Sequence, residues 1–388
     1  MSPAYAAFTP AEHRARLARA RETLGKAGFE VCISVAPETH YYFAGYDAWV
    51  GVNSPQALIF PIESNDEPTL VVRNVDTRLA TETSWVSDLR SYQLFTDDFA
   101  GLVAGVARER GWSGGRVAME LSSYTLNAAL YTELSAALAP AEIADATRIL
   151  GDLRIIKSGT EMAYVREAAG HANLGLAAAR DALRAGATEI EVAAAIESAM
   201  RCSGSDYWAI PTEIASGPRT PGGHATPRAR VIETGDLAHF EFAGVSHRYH
   251  ATAVHTMACG TPSKRAAELY EVARASLAAG IDACRAGVRV ADVETASLAP
   301  LRSAGLEAYA NMRFGYGIGL AYPPVWLETL QISRGFDETL APGMVFVLHA
   351  YLQMDHENIG IIQGGTWALT DDGLEQLVGG GDVPLEVV

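Results

Sequence analysis

The feature that most constrains the fold is a change of pattern between residues 145 and 157. Before it, short apolar segments alternate with helical segments over about 140 residues, which is typical of an α/β domain. After it, long Ala-rich helical segments come first and strand-like segments follow, the order expected when helices pack on one antiparallel sheet. We therefore predict an α/β domain over residues 1–150 and an α+β domain over residues 151–388.

Capping boxes mark the starts of several helices. Thr9 and Glu12 flank a proline at the first helical position and predict a helix from about Pro10 to Lys26. The same spacing at 158–161 and 188–191 predicts helices to about residues 185 and 201. Other predicted helices cover 77–83, 98–109, 126–138, 262–285 (capped by Thr261) and 290–304. Predicted strands cover 31–35, 57–61, 69–73, 116–120, 210–216, 237–244, 249–259, 344–353 and 359–369.

Charge and cysteine content exclude several classes of protein. The 388 residues carry a formal net charge of −16, which argues against a nucleic-acid partner because phosphates need a basic surface. The four cysteines include no Cys-x-x-Cys pair, which favours reduced, buried thiols. No apolar run reaches the roughly 18 residues of a spanning helix, and no signal peptide is evident. We expect a cytoplasmic protein that binds neither nucleic acid nor membrane.

Side chains that suit proton transfer occur in three successive stretches. A Gly/Pro-rich loop ends at His224, an apolar segment holds Glu241, and the next strand carries His250 and His255. Taken alone, His224 fits a surface turn, and Glu241 fits a buried carboxylate paired with Arg248 or His255 for packing only. Simple alternation places at most one of the two strand histidines beside Glu241, and a bulge would be needed to bring both there.

These stretches, in their order along the chain, resemble the pita-bread superfamily of methionine aminopeptidases, prolidases and creatinases. The matching segments are Gly235-Asp236 with Glu241, Tyr249 through Thr256, 315–319 (family Gly-His-Gly-Ile-Gly), 343–349 (family Gly-Met-Val-Phe-x-x-Glu) and the turn at 370–373. The resemblance covers about residues 10–375. It implies a pita-bread catalytic domain preceded by a smaller, creatinase-type α/β domain.

The metal-binding set that this resemblance implies is altered throughout. Two Asp, one His and two Glu hold two divalent ions in metal-dependent relatives. The corresponding residues here are Glu241, Thr252, Tyr316, His349 and Gly364. Hydroxyl groups of Thr and Tyr are poor ligands at neutral pH and glycine has no side chain, so we expect no dinuclear centre and no cofactor. A single zinc ion on His224, Glu241 and His349 is the remaining metal alternative.

Metal-independent members of the superfamily, the creatinases and the ectoine hydrolase group, cleave C–N bonds, and this chain is more similar to the second. It shares a Phe-Glu-x-Ala-Gly strand at 240–244, Arg-Tyr-His at 248–250, and a Pro-Pro-x-Trp segment with Trp326 that leads to Glu328. It departs from the group at His255, where arginine is usual. It also departs at Gly364, where glutamate is usual and where glycine is expected to leave extra room.

The resemblance therefore implies a metal-independent hydrolase that cleaves a C–N bond in a small zwitterionic or cyclic amidine-like molecule. Glu241 would act as base or nucleophile and His224 as proton shuttle, with Tyr316 and His349 completing the catalytic group. The residues expected to contact the substrate are Tyr46, Trp49, Tyr249, His250, Thr252, His255, Trp326 and Glu328. The family also implies a homodimer. A non-hydrolytic reaction on a small amino-acid derivative (a cyclisation or elimination) and a non-catalytic binding module stay open.

Overall fold

The structure, a computed structural model, describes residues 3–112, 115–379 and 383–388 and separates into two units, residues 1–153 and 154–388. The helices of the N-terminal unit are α1 (Pro10–Lys26), α2 (Pro37–Ala44), α3 (Thr77–Thr83), α4 (Phe99–Glu109), α5 (Ala128–Leu138) and α6 (Thr147–Asp152). Its strands are β1 (Val31–Ser34), β2 (Ala57–Pro61), β3 (Thr69–Arg73), β4 (Asp88–Tyr92), β5 (Arg116–Met119) and β6 (Glu142–Asp145).

The six strands of the N-terminal unit form one mixed sheet in the order β4-β3-β2-β1-β5-β6. The β1–β2 and β2–β3 pairs are antiparallel, and the other three pairs are parallel. Apolar side chains of β1, β2 and β5 pack against α4 and α5 to form its core. Helix α1 begins as its capping box predicts, because the Glu12 amide donates to the Thr9 hydroxyl oxygen at 3.2 Å.

The C-terminal unit contains the remaining elements. Its helices are α7 (Gly159–Ala182), α8 (Glu189–Cys202), α9 (Lys264–Ala283) and α10 (Val290–Ser303). Its strands are β7 (Glu213–Ser216), β8 (Leu237–Ser246), β9 (Tyr249–Ala258), β10 (Gly315–Ile318), β11 (Leu327–Ile332), β12 (Val345–Met354), β13 (Ile359–Thr370), β14 (Gly373–Gly379) and β15 (Glu386–Val387). They form one nine-stranded sheet with the path β11-β10-β12-β13-β9-β8-β7, while β14 pairs with β13 and β15 with β9.

Four helices cover one face of this sheet. Helices α7 and α8 pack on β8 and β9 around Phe240 and Phe242, and helices α9 and α10 pack on β12 and β13 around Phe346 and Trp367. Side chains alternate along a strand, so the odd-numbered residues of β8, which include Glu241, point to the other face. The sheet thus separates a helix-packed core from a polar concave face.

One helix start differs from its prediction. The Ser263 hydroxyl oxygen, and not Thr261, accepts the amide hydrogen of Ala266 at 3.1 Å and caps α9. The fold class is confirmed: an α+β pita-bread domain follows an α/β domain. Among the described residues, no helix has the length and apolarity that a membrane span requires.

Candidate active site

A single row of paired residues crosses the concave face of the C-terminal sheet. Glu213 on β7 lies opposite Glu241 on β8, which lies opposite Val254 on β9. Val254 lies opposite Gly364 on β13, and Gly364 lies opposite His349 on β12. Directly opposed residues share a face of the sheet. The register therefore brings two acidic residues and an imidazole from distant parts of the chain to one surface.

The four residues predicted to be catalytic line one cavity of about 280 Å³ on this face. Among the described residues, the lining consists of His224, Glu241, Asn311, Met312, Arg313, Tyr316 and His349. His224 is exposed at the end of its Gly/Pro-rich loop, whereas the other three predicted residues are buried. The loop returns to the sheet because the Ala225 carbonyl accepts the Ile214 amide at 2.9 Å.

Hydrogen bonds fix Tyr316 against the carboxylate. Its hydroxyl donates to Oε1 of Glu241 at 2.9 Å, and Nε1 of the buried Trp326 donates to the Tyr316 oxygen at 3.0 Å. Burial and the nearby Glu241 carboxylate raise the pKa of Tyr316 well above its usual value, so the phenol keeps its proton. Trp326, predicted to contact the substrate, instead supports the tyrosine that lines the cavity.

Burial dominates the protonation of the catalytic group. It raises the pKa of Glu241 to about 7, against the opposing effects of the Tyr316 hydrogen bond and the Arg313 charge. It lowers the pKa of His349 to about 3, and the Arg313 and His224 charges act in the same direction. His349 is therefore a neutral imidazole, and its Nδ1 has no hydrogen-bond partner among the described residues. Glu241 titrates in the range where a general base is most useful.

Glu213 and Arg313 belong to this region but have no counterpart among the sequence-predicted site residues. Burial and the charge of Glu241 raise the pKa of Glu213 to about 8. Its Oε2 is buried and has no hydrogen-bond partner in the described part of the chain. Only the pairing of β7 with β8 reveals the position of Glu213. Arg313 stands two residues before the Gly-Tyr-Gly segment, so the sequence alone could have indicated a charge close to Tyr316.

His250 and Thr252 share the face of Glu241, as the register of β8 and β9 requires. Both nitrogens of His250 are used within the protein: Nδ1 donates to the Arg248 carbonyl at 2.9 Å, and Nε2 accepts from the Ala209 amide at 3.0 Å. Thr252 is fully buried, and its hydroxyl has no partner among the described residues. Of these two, only Thr252 retains a free hydrogen-bonding group.

Tyr249 and His255 lie on the opposite, helix-packed face, so the structure does not bring them to the cavity. The Tyr249 hydroxyl donates to Oε1 of Glu161 at 2.7 Å, and His255 Nε2 lies 3.8 Å from Oε2 of Glu386. Strands β8 and β9 pair continuously from Leu237 to Tyr249, without the bulge that would turn His255 around. Their predicted contact with substrate is therefore not supported.

The remaining predicted contact residues also have other roles or places. Glu328 is buried and accepts a hydrogen bond from Lys157 Nζ at 2.5 Å, as one half of an ion pair. Tyr46 and Trp49 belong to the N-terminal unit, where Tyr46 is buried beside the His40 ring and Trp49 is 55% exposed. Glu328 is thus held in a buried ion pair of the C-terminal unit and does not line the cavity.

Gly364 leaves no extra room, so that expectation is wrong. A Cβ atom at this position would lie 2.1 Å from the Leu348 carbonyl oxygen and 2.7 Å from Cβ of His349. The close approach of β12 and β13 thus occupies the space that a glutamate side chain would need. Where metal-dependent relatives carry a full ligand set, this chain offers Glu241, His349 and two hydroxyls. The described residues contain no group of three His, Cys, Asp or Glu that could hold a metal ion, so the residues present do not fit a metal pair.

Comparison with known proteins gives the family. Residues 163–372 match the model of metallopeptidase family M24, and residues 16–156 match the creatinase/prolidase N-terminal domain. The chain belongs to metallopeptidase family M24.

The chain is similar to relatives and solved structures with different described activities. The chain is 27% identical to an ectoine hydrolase from Halomonas elongata, over 95% of this chain and 96% of the relative. It is 25% identical to an Xaa-Pro dipeptidase from Lactobacillus delbrueckii, over 83% and 86%. Its fold is similar to that of an Xaa-Pro dipeptidase from Bacillus anthracis, with a TM-score of 0.85, 21% identity and coverage of 98% and 100%.

Proposed function

We propose that the protein hydrolyses a C–N bond in a small zwitterionic or cyclic amidine-like molecule, without a metal ion. The observation that carries the proposal is the placement of His224, Glu241, Tyr316 and His349 around one cavity. Its volume of about 280 Å³ lies just below the range of about 300–1,000 Å³ that is usual for ligand pockets, which suits a small molecule better than a long peptide.

The charges of the cavity support a zwitterionic substrate. Arg313 and Glu241 line the same cavity with opposite signs, while His349 is neutral. Arginine binds a carboxylate through parallel N–H donors, and a buried carboxylate attracts an amidinium or ammonium group. A molecule with both groups would therefore be held at both ends.

The altered ligand set supports metal independence. The Tyr316 hydroxyl donates a hydrogen bond to Oε1 of Glu241 and so occupies a lone pair that a metal ion would need. The backbone beside Gly364 leaves no space for the closing glutamate of the metal-dependent relatives. A protonated amidine carbon is already electrophilic, so its hydrolysis does not require a Lewis acid.

The chemistry follows from these groups. Glu241 takes a proton from water as the water oxygen bonds to the amidinium carbon, which gives a neutral tetrahedral intermediate. The leaving nitrogen takes a proton from the His224 imidazolium and receives the electron pair of the breaking C–N bond. The hydroxyl proton returns to His224 as the carbonyl forms, and Glu241 gives its proton to the released amine. The products are an amide and an ammonium ion, and both catalytic residues are restored.

The test is ring opening of ectoine by chelator-dialysed protein, followed by NMR. The expected result is a ring-opened amide product, no turnover with Glu241→Gln, and full turnover with Glu133→Gln, an exposed glutamate of the N-terminal unit. No product from ectoine, hydroxyectoine or creatine would contradict the proposal. If the wild-type protein binds these molecules but converts none of them, the result would favour the alternative that the protein is a non-catalytic binding module.

A second candidate is a metal-dependent dipeptidase. Membership of family M24 and the similarity to Xaa-Pro dipeptidases favour it. It predicts cleavage of an Xaa-Pro dipeptide that depends on added manganese, cobalt or zinc. Such cleavage, in the absence of ectoine ring opening, would replace the first proposal.

The homodimer and the cytoplasmic location stay predictions. Light scattering coupled to size-exclusion chromatography tests the first, and cell fractionation tests the second. A monomer at micromolar concentration would refute the dimer.

A further inference from the structure

Glu213 and Glu241 form a pair of carboxylates on the concave face. They are direct partners on the antiparallel strands β7 and β8. Opposed residues of this kind have Cβ atoms roughly 5 Å apart, so two glutamate carboxylates can reach one small group from either side. The His224 loop runs along the outer side of β7, where Ala225 accepts the Ile214 amide. The backbone of β7, which carries Glu213, therefore lies between the His224 loop and β8, which carries Glu241.

Glu241 is buried and Glu213 is half-buried, and neither carboxylate has an ion-pair partner among the described residues. Three buried glutamates of the same unit do have one. Glu189 pairs with Arg219, Glu294 pairs with Arg334, and Glu328 pairs with Lys157. Like charges opposed on a sheet destabilise it, and burial of an unpaired carboxylate adds to the cost. The pair thus has no direct ion-pair partner among the described residues, and Arg313 is the cation whose charge acts on Glu241.

Two other polar groups near this pair also lack partners. His349 is 4% exposed, lines the same cavity as Glu241, and has a free Nδ1. Thr252 is fully buried on the same face with a free hydroxyl. Buried polar groups are normally hydrogen-bonded, so unpartnered ones on the face that holds Glu241 leave donors and acceptors for a bound ligand or water.

We propose that Glu213 and Glu241 together bind the planar cationic C–N group of the substrate, one nitrogen to each carboxylate. Glu213 is thereby a specificity-determining residue that selects an amidinium or guanidinium over a quaternary ammonium. An amidinium presents N–H donors on two nitrogens in one plane, whereas a quaternary ammonium presents none. This inference rests on the proposed function, because it names the substrate class of the same site.

Ligand-dependent thermal shift tests the pairing directly, with acetamidinium chloride as the probe and sodium chloride and tetramethylammonium chloride as controls. At a probe concentration about tenfold above Kd, the wild-type Tm is expected to rise by about 3 °C with acetamidinium only. Glu213→Gln should lose most of this rise, Glu213→Asp should keep part of it, and Glu133→Gln should keep all of it. An equal rise in Glu213→Gln would overturn the proposal, as would stabilisation by zinc or manganese in place of acetamidinium.

The Tm without ligand separates binding from a packing role. Glu213→Gln removes an uncompensated charge, so its Tm at pH 8 should equal or exceed that of the wild type. A clear decrease would show that Glu213 supports the fold and would overturn the assignment.

Turnover distinguishes this inference from the proposed function. If the protein opens ectoine, Glu213→Gln should raise KM about tenfold or more with a smaller change in kcat, whereas Glu241→Gln should abolish kcat. Ectoine turnover with an unchanged KM in Glu213→Gln would refute only the role of Glu213. Acetamidinium binding that depends on Glu213, without turnover of any amidine, would refute only the proposed reaction.

Discussion

Substitution of Glu241 by glutamine should stabilise the protein at alkaline pH while it removes activity. Glutamine has nearly the same shape, and its amide oxygen can still accept the hydrogen bond that Tyr316 donates to Glu241 at 2.9 Å. The substitution removes the buried charge but keeps the packing. It also removes the Glu241 charge, which is the second cause, behind burial, of the raised pKa of Glu213.

The magnitude follows from the raised pKa. Burial places the pKa of Glu241 at about 7 in place of 4.5. At about 1.4 kcal/mol per pKa unit, ionisation of this buried group costs the folded state about 3 kcal/mol. The folded carboxyl holds its proton more tightly than the unfolded one. The contribution of Glu241 to the free energy of unfolding is therefore most favourable below pH 4.5 and falls as the pH rises from 4.5 through about 7.

Urea unfolding at about pH 5 and about pH 9 measures this difference. The two proteins should have similar urea midpoints at the lower pH, and Glu241→Gln should be more stable by about 2–3 kcal/mol at the higher pH. Glu133→Gln, on an exposed site of the other unit, controls for loss of one negative charge. A variant less stable than the wild type at pH 9 would mean that the Glu241 carboxylate supports packing, and the reasoning would fail.

Three further substitutions test other parts of the site. His224→Ala should lower kcat by about a hundredfold or more and leave the Tm unchanged. His356→Ala, at another exposed histidine, should change neither kcat nor Tm. Equal effects of the two substitutions on kcat would show that His224 takes no part in the mechanism. Tyr316→Phe removes the hydrogen bond that lowers the pKa of Glu241. The acidic limb of the pH profile of kcat/KM should therefore shift to higher pH by about one unit. An unchanged acidic limb would contradict the role of Glu241 as the base. Gly364→Glu should destabilise the protein by about 3 kcal/mol without creating manganese binding in a thermal shift, because Leu348 and His349 occupy the space. Tight manganese binding would contradict the conclusion that these residues do not fit a metal pair.

Local signals in the sequence predicted much of the secondary structure. Thr9 and Ser158 accept hydrogen bonds at the starts of α1 and α7, where their capping boxes indicated. The prediction failed where a pattern was ambiguous. Thr261 stands before a proline, but the true cap is Ser263, and the aromatic residues at 37–44 form a helix that the sequence did not indicate.

The site was predictable where residue identity sufficed and not where strand register decides. Glu241, Tyr316, His349 and His224 follow from motif order, and the structure places them around one cavity. The faces of Tyr249 and His255 depend on the pairing of β8 with β9. Glu213 depends likewise on the pairing of β7 with β8. Sequence periodicity shows which residues of one strand share a face. It does not show which residues of the neighbouring strand lie on that same face.

The most direct test of the central claim is the rate of ectoine ring opening by exhaustively chelator-dialysed protein, with metal content measured in the same sample. A metal-independent hydrolase should keep its full rate with well under one equivalent of zinc, manganese, cobalt and iron combined. Loss of the rate on dialysis and its return with one of these ions would contradict the account, as would near-stoichiometric metal retained in the active sample.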